Sequence, residues 1–565
     1  MLNARTAVPI AGLLHRIATL ILAGFAIILS TDVAKEAHSA EGDRVPNIVF
    51  ILADDLGYSD IGCYGGEIET PNLDRLASNG LRFTQFYNTA RCWPSRAALL
   101  TGYYAQQVNR DPQGTRPKWA ALLPEMLGSA GYRSYHSGKW HVDGKILNGG
   151  FSRSYHTTDH DRFFSPRHHE LDDQPLPPPK PDEHYYATTA IAQRAVEWLT
   201  EHDSQHKNRP FFLYLAFIAP HFPLHAPAED IARYRDRYRT GWSAIRAERW
   251  QRMQKLGLVA GGISDPEPNV IPSWNLPEQE LQRRIGLGES GHAVPWSDLS
   301  PEQQDFQSQK MAVHAAMVDR MDREIGRVLD QLRTMGAWEN TLIFFASDNG
   351  ASAEQFIRGD GHTPGAVPGS AESYLGLGPG WSTVSNTPFR RHKSWNHEGG
   401  TSTPLIVHWP ARIEARGELR RAPGHFVDIA PTILELAGVT APTTWNDETR
   451  PALPGRSLVR FFNRDDDAAH DAIFFKHMDN RALRLGDWKI TASGKDAPWE
   501  LYNLTNDRAE SHNLAAQHPD KLQELAAIWA ARDAEYAAQG ATGNLSGKST
   551  APKPQTRDNK GTANP

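Results

Sequence analysis

The chain has 565 residues, of which 39% are hydrophobic and 22% charged, with a formal net charge of −6. That length exceeds one ordinary domain and the composition fits a soluble globular protein, so one large domain and a smaller one are expected. The mild negative balance gives no electrostatic case for nucleic acid or an anionic membrane surface, and two cysteines, Cys63 and Cys92, exclude a disulfide framework while leaving one bridge open.

In chain order, the first feature is an export signal over residues 1–40. Arg5 and Arg16 precede an apolar run from Ile17 to Leu29, too short to span a bilayer comfortably, and Ala37, Ser39 and Ala40 offer a cleavage region. A retained membrane anchor is the competing reading of the same run. Cleavage predicts a periplasmic or secreted protein with no stable membrane span once the signal is removed. No cysteine lies here, so a lipid anchor is excluded.

Folding is expected to begin near Val45. The run from Val45 to Ala53 is apolar without alternation, which suits a strand buried on both faces of a parallel sheet. Phe211 to Ala219 and Thr341 to Ala346 read the same way. Each run ends in polar residues: Asp54-Asp55, Pro220-His221 and Ser347-Asp348-Asn349-Gly350. In open α/β sheets ligands bind beyond the carboxyl ends of the strands, so three runs deliver polar groups to one edge. Ala187 to His202 and Gln309 to Met335 have helical spacing. In the second, Met317, Met321, Ile325, Val328 and Leu332 form a stripe read as core.

Residues 224–301, rich in Pro, Gly, Trp and Arg, read as an insertion over the active-site edge, where loops carry specificity. An ornament or an oligomer contact is the equal alternative. Beyond Pro451, short strands are expected at Ala472 to Lys476, Ala482 to Leu485, Trp488 to Ala492 and Leu501 to Leu504, then a helix from Pro519 to about Ala538. This makes residues 451–538 a small α+β domain with an antiparallel sheet. Residues 539–565 carry little apolar content and read as a disordered tail.

Cys92-Trp93-Pro94-Ser95-Arg96, followed by Ala97-Ala98-Leu99-Leu100-Thr101-Gly102, resembles the signature of the type I, formylglycine-dependent sulfatases, arylsulfatases among them. The stretch from Asp54 to Gly66 and the run Thr70 to Ala77 resemble that family's amino-terminal motif. Gly138-Lys139-Trp140-His141 resembles its second signature, and Lys393 stands five residues before Glu398-Gly399-Gly400, as in the family pattern. Many members follow E-G-G with an arginine two positions on; here that position is Ser402. The departure makes transfer of a substrate from any one member unsafe.

The resemblance covers residues 45–440 well and the rest to about 538 more loosely. It implies an alkaline-phosphatase-like α/β fold, a large mixed sheet sandwiched by helices, with the smaller C-terminal α+β domain against it. It also implies that a formylglycine-generating maturation enzyme converts Cys92 to an aldehyde. The hydrated aldehyde offers one hydroxyl to attack sulfur and displace the alcohol, and a second whose deprotonation expels sulfate. By the same resemblance Asp54, Asp55, Asp348, Asn349 and the modified Cys92 hold a metal. Adjacent carboxylates repel unless a cation sits between them, and an all-oxygen set leans towards Ca2+, with Mg2+ second.

The resemblance further implies that Lys139 and Lys393 clamp the sulfate, that Arg96 bonds the formylglycine oxygen and neutralises the carboxylates, and that His141 orients the formylglycine hydroxyl. His221 is read as the leaving-group acid or stabiliser, against a structural loop role. His392 and His397 are left unassigned. The expected function is hydrolysis of sulfate monoesters, on a sulfated carbohydrate first and an aryl or alkyl sulfate next. A phosphoester or phosphonate hydrolase of the same superfamily needs a similar clamp and is the alternative. A noncatalytic sulfoglycan-binding protein with Cys92 unmodified is the third reading.

Overall fold

A computed structural model of the chain describes residues 45–359, 361–465, 470 and 472–541. The expected signal lies outside the described residues, as does the expected tail from residue 542 onward. Eleven strands form one sheet: β1 (Asn47–Ala53), β2 (Leu81–Tyr87), β3 (Arg133–Gly138), β4 (Arg153–Thr157), β5 (His169–Leu171), β6 (Gln174–Leu176), β7 (Phe211–Ala216), β8 (Thr341–Ser347), β9 (Ser402–His408), β10 (Glu418–Arg420) and β11 (Gly424–His425). Their order is β10-β2-β9-β8-β1-β7-β3-β4-β5-β6, with β11 also beside β2.

The three apolar runs are the middle of this sheet. β1 lies between β7 and β8, parallel to both, with Ile51 opposite Leu215 and Phe345. β3 is parallel to β7, whereas β9 runs antiparallel to β8 and to β2, so the sheet is mixed. Alternation along β1 sends Val49, Ile51 and Ala53 into one core and Ile48, Phe50 and Leu52 into another. Helices Ala187–Gln205 and Pro301–Thr334 cover the first face; Cys92–Thr101 and Ile429–Leu436 cover the second. Covering both faces is why the central strands read as unbroken apolar runs.

The long helix starts at Pro301, earlier than its apolar stripe predicts. Ser300 caps it by accepting from the Gln303 amide at 3.2 Å, and Gln303 Oε1 accepts from the Ser300 amide at 2.9 Å. The whole predicted stripe from Met317 to Leu332 is buried in the first core. Residues 224–301 carry helices Ala228–Ala232, Gly241–Lys255 and Glu278–Arg284. From this stretch Arg249 is fully buried against Asp60 at 2.7 Å and Glu67 at 2.8 Å.

Beyond a short ribbon, β12 (Thr444–Trp445) with β13 (Glu448–Thr449), strands β14 (Ile473–His477), β15 (Asn480–Leu485), β16 (Trp488–Ala492) and β17 (Glu500–Asn503) form an antiparallel sheet in sequence order. Helix Pro519–Ala541 packs on it through Leu525 and continues into the stretch read as tail. This sheet is tied to the large one by buried charges. Lys489 Nζ lies 2.9 Å from both Glu398 and Glu510, and Arg508 Nη2 bonds Glu398 Oε2 at 2.8 Å and Ser402 Oγ at 3.1 Å. Cys63 and Cys92 are both free thiols, so the bridge left open by the sequence does not form. Among the described residues no helix is long and apolar enough to cross a membrane.

Candidate active site

Parallel alignment of β3, β7, β1 and β8 brings their carboxyl ends to one edge, and the polar residues that follow them meet there. Asp54 and Asp55 follow β1, Lys139 follows β3, Asp348 and Asn349 follow β8, and His221 lies in the loop after β7. β9 starts at this edge, so the turn before it carries Lys393 in. β2 ends here too, and the chain then enters helix Cys92–Thr101, with Cys92 at its first turn. Nine of the ten sequence-predicted site residues are nearly or fully buried, and the tenth, His141, is half-buried.

Close backbone approach fixes the edge. A Cβ on Gly138, at φ +119°, would sit 1.9 Å from the Ala216 carbonyl oxygen, so only glycine lets β3 end against β7. A Cβ on Gly350 would meet the Gly399 oxygen at 1.8 Å, which packs the turn after Asn349 onto E-G-G. Asp55 itself holds a left-handed backbone at φ 67°, uncommon for a residue with a side chain.

The acidic groups are matched by cations. Arg96 Nη2 lies 2.7 Å from Asp348 Oδ2 and 3.4 Å from Asp54 Oδ2, while its Nη1 donates to the Lys139 carbonyl at 2.9 Å. Lys139 Nζ bonds Asp54 Oδ2. Lys393 Nζ bridges Asp55 Oδ1 at 2.7 Å and Glu354 Oε2 at 3.1 Å. Asn349 Nδ2 donates to Asp55 Oδ1 at 2.7 Å.

Burial raises the Asp54 carboxyl, but the charges of Lys139 and Arg96 hold Asp54 below the usual carboxylate range. Burial, then the charge on Asp54, pushes Asp348 up to about 7. The Cys92 thiol is pushed up by burial, with Lys139 and Lys393 pulling it down and Asp54 and Asp348 adding to the rise. Cys92 opens the helix one turn before Arg96, whose guanidinium pairs with Asp348 and Asp54.

Burial, reinforced by Lys393, takes His221 well below the ordinary imidazole range, so it is neutral. Its Nδ1 faces the Phe222 carbonyl oxygen and its Nε2 faces Asp55 Oδ2 at 3.8 Å. His141 is likewise lowered, by burial and then by Lys139. Its ring lies 5.7 Å from Trp93 and 5.5 Å from His160.

The donor set suits a hard cation. Asp54 Oδ1 and Asn349 Oδ1 are both buried without a hydrogen-bond partner, an arrangement that is costly unless a cation takes those lone pairs. Asp54, Asp55 and His221 each offer a ligand atom within 4.8 Å of the others. The set read from sequence contained no histidine; among the described residues His221 is the one imidazole that joins this group.

Sequence reasoning missed a second layer. Glu354, beyond Asn349, joins Lys393 to Arg91, whose Nη1 lies 3.1 Å from Glu354 Oε1. Arg91 precedes Cys92, and that adjacency was the available signal. His477, from β14, packs on Trp93 at 5.3 Å between ring centroids, a contact no local pattern announces. The unassigned histidines are held by framework residues: His392 Nδ1 by Ser382 Oγ at 2.8 Å, and His397 Nε2 by Glu500 Oε2 at 3.1 Å.

Known proteins resemble this chain over most of its length. The family described as Sulfatase matches residues 46–439, and N-sulphoglucosamine sulphohydrolase, C-terminal, matches residues 391–530. An uncharacterised sulfatase of Schizosaccharomyces pombe is 33% identical, over 89% of this chain and 95% of its own. An arylsulfatase of Klebsiella aerogenes is 31% identical, over 73% of this chain and 91% of its own. The solved structure of Ps i-CgsB in complex with k-i-k-neocarrahexaose shares the fold at a TM-score of 0.61 and 24% identity, over 88% of this chain and 94% of that one.

Proposed function

The chain belongs to the sulfatase family and is a hydrolase of sulfate esters, and from that premise we propose that it works through a formylglycine made from Cys92 and a divalent cation, calcium before magnesium. The observation that carries this reading is the setting of Cys92: a buried residue at a helix N-terminus, one turn before Arg96, which pairs with Asp348 and Asp54 and bonds the Lys139 carbonyl. Inorganic sulfate leaves as a dianion, and a helix N-terminus with two lysines suits it.

Asp54, Asp55, Asp348, Asn349 and the modified Cys92 would hold the cation, whose charge would acidify the nucleophilic hydroxyl and draw electron density from sulfur. Arg96 offsets the carboxylates and keeps Asp348 aimed inward. Lys139 and Lys393 neutralise charge gathering on the sulfate oxygens. His141 orients the nucleophile. His221 faces the leaving oxygen: burial keeps it neutral in the free site, and an arriving anionic ester raises its affinity for the proton it then donates.

In this reading residues 45–440 carry the reaction and residues 451–538 form the smaller domain. Residues 1–40 direct export to the periplasm or medium, and a maturation enzyme oxidises Cys92. The substrate is a sulfated carbohydrate or an aryl sulfate. The Klebsiella arylsulfatase supports the second class and the neocarrahexaose complex of a same-fold protein the first.

Mass spectrometry of the Cys92 peptide, from protein made in its own host, tests the central claim. An aldehyde mass is expected; an unmodified thiol overturns the mechanism. Paired 4-nitrophenyl sulfate and 4-nitrophenyl phosphate then test the class, and a clear preference for phosphate would reassign the chain as a phosphoester hydrolase.

A further inference from the structure

Trp274 is one of six large apolar side chains exposed among the described residues, with 39% of its surface open. It comes from the 224–301 stretch, yet it stands beside the site. Its Nε1 donates to Glu354 Oε1 at 2.9 Å, and the other oxygen of Glu354 holds Lys393 at 3.1 Å. The guanidinium of Arg91, next to Cys92, lies 5.6 Å from the Trp274 ring centre and 5.2 Å from that of Trp93.

The backbone under Trp274 is pinned. Asn275 Nδ2 donates to the Ala353 carbonyl at 2.9 Å, the Gln355 amide donates to Asn275 Oδ1 at 2.8 Å, and the Leu276 amide to the Gln355 carbonyl at 2.9 Å. The indole N–H is therefore satisfied and the ring is held in place, so what it offers to solvent is carbon. A rigid, half-exposed aromatic face costs little ordering when a ring lies on it.

We propose that Trp274 is a ring-stacking subsite for the alcohol part of the substrate, one that takes a flat aryl ring or the apolar face of a sugar, and that Glu354 ties this subsite to the sulfate clamp. The proposal rests on the Cys92-centred reading of the site above. It places recognition on the 224–301 stretch and gives that stretch a role other than ornament. It also excludes a substrate read by its sulfate alone: esters with a ring are favoured over esters without one.

Binding by titration calorimetry tests this without turnover, using the full chain carrying Cys92→Ala, with calcium. The quantity read is the affinity for phenyl sulfate divided by the affinity for methyl sulfate. Trp274→Ala is expected to lower that ratio about tenfold, and Trp274→Phe, which keeps a ring but loses the N–H, to keep it within about threefold of the parent. An unchanged ratio in the alanine variant overturns the proposal. So does an equal fall in both variants, since Trp274→Phe keeps the ring, and so does a parent that binds phenyl sulfate no better than methyl sulfate. Failure of the Cys92 reading shows separately, as absence of phenyl sulfate turnover by the matured wild-type chain, and leaves the binding ratio to be judged by itself.

Discussion

The floor and the rim of the site are built in different ways. The floor takes Asp54, Asp55, Lys139, Asp348 and Asn349 from the ends of adjacent parallel strands, where a Cβ on Gly138 or Gly350 would overlap a neighbouring carbonyl. The rim takes Trp274 from a loop, Arg91 from a helix cap and His477 from a separate antiparallel sheet. Sulfate transfer needs several charges within a few ångströms of one another, and only a packed sheet edge holds them there at fixed spacing. Recognition of the alcohol needs surface that can change without disturbing that spacing, and loops anchored by a few hydrogen bonds supply it.

The sharpest break between the two regions is at Cys92. Cys92→Ala should lower kcat on 4-nitrophenyl sulfate by about 10⁴-fold or more, because in the proposed mechanism Cys92 supplies the nucleophile that forms the covalent ester. Phenyl sulfate should still bind, since the rim is untouched. Residual turnover within tenfold of wild type would place the nucleophile elsewhere. Next in size is Lys139→Ala. Losing one cation from the clamp should cost about 10²–10³-fold in kcat, and KM should rise less than kcat falls. A variant with normal kcat and raised KM would move Lys139 from transition-state stabilisation to simple binding.

Cation removal should come third, and it has a readout in stability. Without a cation, Asp54 Oδ1 and Asn349 Oδ1 are buried unpaired and Asp348 is pushed up to about 7. Calcium at about 100 times its dissociation constant should stabilise the fold by about 2.7 kcal/mol, seen as a higher melting temperature that a chelator reverses. Asp54→Asn should abolish most of that shift. An equal calcium shift in Asp54→Asn would mean that the ion sits at another site.

The same division explains what the sequence could say. The floor was legible because each strand end is a short contiguous motif: Asp54-Asp55 and Asp348-Asn349 both follow apolar runs whose burial on two faces leaves no alternation. β3 was not legible by that route, since Arg133-Ser-Tyr-His-Ser-Gly138 carries little apolar signal. It is a central strand because Tyr135 fills one core and His136 packs among rings on the other face. The rim left only coarse signals, the composition of residues 224–301 and the place of Arg91 before Cys92. Trp274 and Glu354 are far apart in loops without periodicity, and only the fold brings them together. Glu398 shows a related limit. It was read as part of a motif, and its side chain anchors the small sheet through Lys489 and Arg508, with Arg508 also bonding Ser402, the position where many members carry an arginine.

Glu354 is where floor and rim meet, and it should give the smallest effect. Burial raises this carboxyl, but Lys393 and Arg91 outweigh it and hold it well below the usual range. A group depressed in this way keeps its charge across the working pH range and has no proton to exchange there. Glu354→Gln keeps the shape, keeps an acceptor for Trp274 and removes the charge that steadies Lys393, whose contact with Asp55 remains. The expected result is about a tenfold fall in kcat/KM, equal for phenyl sulfate and methyl sulfate, with an unchanged pH profile. That pattern marks a positioning residue acting through Lys393 and separates it from Trp274, whose loss should fall on ring-bearing esters. Disappearance of a limb of the pH profile would instead make Glu354 a proton carrier, and the floor would then extend one residue further into the rim than the hydrogen bonds imply.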